Sequence, residues 1–119
     1  MLIINTKRDS ILDIHIVALT GEFDFLEKTK VESCLAKTLQ EKPRGLVVDL
    51  SSVNLIDSSG IGLLMSYHAK FGKVGICMAL VVNQNNYLIK KLNILGVFEN
   101  VGLKAFDTLE EAIPEVTAQ

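Results

Sequence analysis

Leu12, Ile14, Ile16 and Ala18 fall on one face of an extended segment at residues 11–20, and Asp13, His15, Val17 and Leu19 on the other. That two-residue period predicts a β-strand. The second face is the more polar, and His15 near its centre is expected to meet solvent. Residues 2–8 read as an earlier strand, with Asp9-Ser10 as a turn signal between the two, so the pair should be antiparallel. Gly21-Glu22-Phe23-Asp24 breaks the alternation, and the period then becomes helical. Val31, Cys34, Leu35, Thr38 and Leu39 make the apolar stripe, Glu27, Lys28, Lys30, Glu32, Lys37 and Glu41 cover the other side, and Pro43 stops the helix.

The rest of the chain alternates between the two periods. Residues 45–50 are short, apolar and β-branched, as in a central strand, and a loop is expected at 51–57. A helix follows at 58–71, stopping at Gly72, then a buried strand at 74–82 and a turn at Asn83-Gln84-Asn85-Asn86. Leu88, Leu92 and Leu95 place a third helix at 87–95, closed by Gly96. A short strand at 103–106 leads to a last helix at 108–115, with Thr108 as N-cap and Glu111 completing a capping box. The order β-β-α-β-α-β-α-β-α predicts an α/β fold with a mostly parallel central sheet and helices packed on it.

Length and charge narrow the functional classes. The 119 residues suit one domain spanning residues 1–119, and 49% apolar content supports a core without metal or disulfide help. Twelve Lys and Arg against fourteen Asp and Glu leave a net charge of −2, with no general attraction to nucleic acid or anionic lipid. The longest apolar run, residues 74–82, is too short to span a bilayer. The N-terminus puts apolar residues before Lys7-Arg8, the wrong order for a secretory signal, so a cytoplasmic protein without direct nucleic-acid or membrane contacts is expected. Cys34 and Cys77 sit inside apolar patterns and read as buried small hydrophobes, with His15 and His68 at no metal-ligand spacing.

Catalytic motifs are missing. No phosphate-cradling Gly-Lys-Ser/Thr loop, dinucleotide glycine fingerprint or nucleophile elbow occurs, so neither catalytic residues nor a cofactor is expected. Asp57-Ser58-Ser59-Gly60-Ile61-Gly62 stands out at the start of the second helix. One reading is ordinary capping, since Asp and Ser are common N-caps and glycines ease a tight entry. The other is a phosphoacceptor: the helix dipole favours a phosphate there while Asp57 repels it, a conflict suited to a switch. On that helix Ile61, Leu64, Met65, His68 and Phe71 cluster on a core side, with His68 packed and its polar end satisfied. Ser59, Gly62, Ser66, Lys70 and Lys73 form a low-relief outer stripe with Leu63 at its margin, a surface able to receive a partner closely.

The segment Gly45-Leu46-Val47-Val48-Asp49-Leu50-Ser51-Ser52-Val53-Asn54-Leu55-Ile56-Asp57-Ser58-Ser59-Gly60-Ile61-Gly62-Leu63-Leu64 closely resembles the signature of the STAS domain, and within that family the bacterial anti-sigma-factor antagonists. Leu19-Thr20-Gly21-Glu22-Phe23-Asp24 resembles the family's Gly-Glu-Leu-Asp turn. Leu92-Asn93-Ile94-Leu95-Gly96-Val97-Phe98 resembles its third-helix ending, and Phe106-Asp107-Thr108-Leu109-Glu110-Glu111-Ala112 its last-helix entry. The resemblance implies a switch. The unphosphorylated antagonist sequesters an anti-sigma factor that is also a serine kinase, which releases a sigma factor. The kinase phosphorylates the first serine of the motif, here Ser58, and a serine phosphatase reverses this. It further implies partner contacts at Asp24, Asp57, Ser59, Gly60, Ile61, Gly62, Leu63 and Ser66. The antagonist would itself catalyse nothing and, alone, would be a monomer or weak homodimer. The Asn83-Gln84-Asn85-Asn86 loop departs from relatives that often carry Pro or Ser there. A STAS adaptor in a non-sigma pathway regulated by a kinase and phosphatase is the alternative. A hydrolase using Ser58 or Ser59 lacks a general base, and nucleotide binding lacks a phosphate loop.

Overall fold

The computed structural model describes residues 1–118. Among them a five-stranded sheet runs in the order β1-β2-β3-β4-β5, with β1 (Leu2–Asp9), β2 (Ile14–Phe23), β3 (Gly45–Ile56), β4 (Cys77–Val81) and β5 (Ala105–Phe106). β1 pairs antiparallel with β2, and every other pairing is parallel. The helices are α1 (Lys28–Glu41), α2 (Ser58–Lys73), α3 (Asn86–Ile94) and α4 (Leu109–Thr117). A π-helical turn at Val97–Val101, which the periodicity did not predict, lies between Gly96 and Gly102, both left-handed at φ 72° and 76°.

Both faces of the sheet are covered. One face carries α1, α2 and α3 over a core that includes Val17, Leu19, Leu46, Val48, Leu64, Phe71 and Leu92. The other carries α4, whose Ala112 and Val116 meet Ile14, Val47, Ala79 and Val81. Thr108 caps α4 with the predicted capping box: its hydroxyl accepts from the Glu111 N–H at 3.2 Å, and its own N–H donates to Glu111 Oε1 at 3.2 Å. Gly45 allows α4 to approach, since a Cβ there would lie 2.6 Å from the Val116 carbonyl oxygen.

Several boundaries depart from the periodicity, each for a local reason. β2 starts at Ile14 rather than residue 11, because Asp9 Oδ1 accepts from the Ile11 and Leu12 N–H groups, each at 3.0 Å, and so holds residues 9–13 in a turn. It then runs through Gly21 to Phe23. Gly21 has φ 108°, and a Cβ there would meet the Met1 carbonyl oxygen at 2.3 Å. The expected loop at 51–57 is instead strand as far as Ile56, pairing with Thr20 to Phe23 across two register shifts. Each shift inserts one extra residue into β3, the signature of a β-bulge, and polar residues there made the stretch resemble a loop. At the first bulge Asp49 Oδ1 accepts from Ser51 N at 2.9 Å and Ser51 Oγ at 2.6 Å. β4 is shorter than residues 74–82, because Val74 and Gly75 turn the chain out of α2. β5 keeps only two of the residues expected at 103–106.

The side-chain assignments need four corrections. His15 is buried rather than solvent-facing, at 8% exposure, because Val17 and Leu19 on the same face of β2 belong to the core. Its Nε2 is buried without a hydrogen-bond partner, and burial holds the imidazole below its ordinary pKa. Leu63 is also buried, at 4%, as is Tyr67. The packed face of α2 is wider than one sheet contact requires because α1 contacts α2 as well. His68 is half-buried with Nδ1 unpartnered, so its polar end is not satisfied. Cys34 and Cys77 are half-buried free thiols, both pushed up in pKa by desolvation.

Candidate functional site

The Asp57-Ser58-Ser59 motif sits where the long β3 ends and α2 begins. Asp57 is the N-cap of α2, in extended conformation at φ −106° and ψ 179°. Its Oδ1 accepts from Gly60 N at 3.1 Å and from Ser59 Oγ at 2.6 Å. Oδ2 reaches across to Phe25 N at 3.0 Å, in the loop between β2 and α1. One carboxylate therefore caps a helix and tethers a neighbouring loop. These bonds, that from the Ser59 hydroxyl foremost, hold its carboxyl below the usual carboxylate range.

The two serines are thereby separated. Ser59 is half-buried with its hydroxyl committed to Asp57. Ser58 is exposed, and its side chain makes no hydrogen bond among the described residues. A reagent approaching from solvent thus meets Ser58 first. No base is hydrogen-bonded to it, so nucleophilic catalysis has no proton acceptor in place.

The loop before α1 brings Asp24 into the same region. Its Oδ1 accepts from Glu27 N at 3.2 Å and shapes the entry to the helix. Gly60 is buried for a packing reason: a Cβ would lie 2.9 Å from the Phe23 carbonyl oxygen and 3.2 Å from Ile56 Cγ1. Ile61 is fully buried. These two residues position the motif rather than present themselves. Gly62 opens onto free space and Ser66 is exposed, so the outer stripe of α2 persists without Leu63.

Sequence periodicity missed the apolar rim around Ser58. A recess of about 350 Å³ is lined by Asp57, Ser58, Ile61, Lys91, Ile94 and Leu95. Ile94 is 73% exposed and Leu95 45%, whereas Leu95 was expected to lie on the buried stripe of α3. In the loop tethered to Asp57, Phe25 and Leu26 are 69% and 85% exposed. The available signal was that Phe25-Leu26 precedes the α1 stripe and Ile94 lies off the Leu88–Leu92 stripe. Apolar residues without a core position are candidates for contact. α3 is clipped to this region through the end of β3. The Tyr87 hydroxyl accepts from Ile56 N at 3.1 Å and donates to Ile56 O at 3.3 Å, while Lys91 Nζ donates to the same oxygen at 2.7 Å.

No group of three or more His, Cys, Asp or Glu among the described residues could hold a metal ion, and no helix there is long and apolar enough to cross a membrane. At the start of α2 this α/β module sets one exposed hydroxyl, without a hydrogen bond among the described residues, beside the exposed Ile94 and Leu95. The family model of the STAS domain matches residues 5–112, and the chain belongs to that family, whose members are non-catalytic regulatory modules. It is 36% identical over 95 residues to an anti-sigma-B factor antagonist of Staphylococcus epidermidis, covering 80% of this chain and 74% of that protein. Its fold matches the crystal structure of an anti-sigma factor antagonist from Mycobacterium paratuberculosis with a TM-score of 0.86 at 21% identity, covering 98% and 94% of the two chains. The Bacillus cell-fate determinant SpoIIAA, solved in phosphorylated form, matches with a TM-score of 0.71 at 17% identity over 96% and 99%.

Proposed function

We propose that this chain is an anti-sigma-factor antagonist: unphosphorylated, it binds an anti-sigma factor with serine kinase activity and so releases a sigma factor. Phosphorylation of Ser58 ends that binding, and a serine phosphatase restores it. The observation that carries the reading is the contrast between the two serines: Ser59 is locked on Asp57 while Ser58 is free at an exposed apolar rim. The Staphylococcus relative bears the antagonist name, and the Bacillus relative has a phosphorylated form.

The electrostatics favour a switch that disengages. A phosphate adds about −1.5 to −2 charges at neutral pH. Here it would stand next to Asp57, kept ionised by its hydrogen bonds. The α2 N–H groups and Lys91 tolerate that charge within the free protein. Burying it against an apolar partner costs desolvation that the free form does not incur. Partner contacts at Asp24, Asp57, Gly62 and Ser66 are part of this proposal, with Phe25, Leu26, Ile94 and Leu95 added from the exposed rim.

The test is intact and peptide mass spectrometry after incubation with ATP and lysate of the source organism, followed by binding to the captured kinase. One phosphate on Ser58, absent from Ser58→Ala, is expected. Ser58→Asp should bind at least about tenfold more weakly than Ser58→Ala, a difference of roughly 1.4 kcal/mol. Equal affinity of the two variants removes the switch.

A further inference from the structure

Among the residues that line the recess at Ser58, Lys91 is the only cation. It stands in the last turn of α3 and is half-buried. It forms no ion pair among the described residues. Its ammonium carries three donors. One goes to Ile56 O at 2.7 Å, and the other two have no acceptor among the described residues. Asp57 is the only acid of the recess. Its oxygens are already engaged by the Ser59 hydroxyl and by the Gly60 and Phe25 N–H groups. Removing a charge from water is costly unless a counter-charge or hydrogen bonds replace the lost solvation, so an unpaired, half-buried ammonium calls for an account.

The clip between α3 and the end of β3 does not require that charge. The Tyr87 hydroxyl accepts from Ile56 N at 3.1 Å and donates to Ile56 O at 3.3 Å, so both backbone groups stay paired without Lys91. What Lys91 adds is a positive charge fixed on the Ile56 carbonyl. Only Asp57, in extended conformation, separates that peptide from Ser58.

We propose that Lys91 is the built-in counter-ion of a phosphate on Ser58. Its two unused donors take phosphate oxygens while Ile56 O keeps the ammonium in place, so the phosphate ties the start of α2 to the last turn of α3. The inference rests on Ser58 being the modified residue, as proposed above, and adds where the phosphate goes. A flexible lysine loses rotamer freedom when it captures an anion; here the hydrogen bond to Ile56 has already restricted the side chain. Phosphorylation then does more than repel a partner. It fills the recess bounded by Ile94 and Leu95 with a charged group held from within the chain.

The experiment uses the full chain with phosphoserine inserted at position 58 during translation, so no kinase is needed. The phosphate is titrated against pH by ³¹P NMR. Its second ionisation lies near pH 6 in an unperturbed phosphoserine, and a paired ammonium favours the dianion. Lys91→Gln is expected to make the phosphate bind its proton roughly threefold more tightly, raising the midpoint. Two controls should keep the wild-type midpoint. Lys90→Gln removes the same charge from an exposed neighbour outside the recess. Tyr87→Phe loosens the clip to Ile56 and keeps every charge. A wild-type midpoint in Lys91→Gln, or an equal rise in either control, overturns the proposal. Such a failure leaves the comparison of Ser58→Ala with Ser58→Asp untouched, and equal affinity in that comparison does not move the phosphate midpoint.

Discussion

Leu63 and Ile94 are large aliphatic side chains in neighbouring parts of the molecule, and they have opposite fates. Leu63, on the flank of α2 that α1 covers, is 4% exposed. Ile94, at the end of α3 beside Ser58, is 73% exposed. The flank is apolar because the fold needs it closed: Leu63, Tyr67, Val31 and Leu35 all belong to one core. The rim is apolar although no core position requires it. Ile94 and Leu95 are exposed on the recess that Ser58 lines, whose hydroxyl makes no hydrogen bond among the described residues, and Phe25 and Leu26 are exposed in the loop tied to Asp57. Identical chemistry therefore serves stability on one side of α2 and, in the proposed switch, recognition on the other. Burial, rather than residue type, tells them apart.

The comparison breaks most visibly at Leu63. Leu63→Lys places an amine in a packed core and should destabilise by about 3 kcal/mol or more. That lowers Tm by roughly 10 °C or more in a thermal melt. An unchanged Tm would return Leu63 to the surface. The converse change, Ile94→Lys, should leave stability within about 0.5 kcal/mol. It should weaken the captured kinase by about tenfold or more in a binding titration. Wild-type affinity for Ile94→Lys would take α3 out of the contact surface.

A smaller effect separates the anchor from the rim. Asp57→Asn keeps an acceptor for the Gly60 N–H and the Ser59 hydroxyl but turns an amide NH2 toward the Phe25 N–H and loses the charge, at a cost of about 1–2 kcal/mol. The sign with pH follows from the lowered pKa of Asp57. A carboxyl more acidic folded than unfolded stabilises the native state above its unfolded pKa of about 3.9, and that contribution is lost as pH falls through its folded value. Denaturant melts of wild type and variant should therefore converge on acidification. A gap that stays constant with pH would show that the charge of Asp57 does not matter.

Much of this was legible in the chain itself. The order of elements followed from the switch between two-residue and helical periods, and the α4 capping box from Thr108 and Glu111, because both signals are local. The Asp57-Ser58-Ser59 motif was legible as a helix start for the same reason. Its working detail was not, since Asp57 is tied to Phe25, 32 residues away in sequence. The bulged end of β3 resembled a loop because its strand character depends on pairing with Thr20 to Phe23. The π-helical turn carries no periodicity of its own.

Sequence alone determined the α/β order, the family resemblance and the pair of serines at a helix N-terminus, because each rests on residues close together along the chain. Only the tertiary structure decided which serine is free, that Leu63 is core while Ile94 and Leu95 are rim, and that His15 is closed in beneath α1. Those outcomes depend on which surface a distant element covers. A helical or strand period gives the faces of an element, and the neighbour that packs against each face comes from elsewhere in the chain.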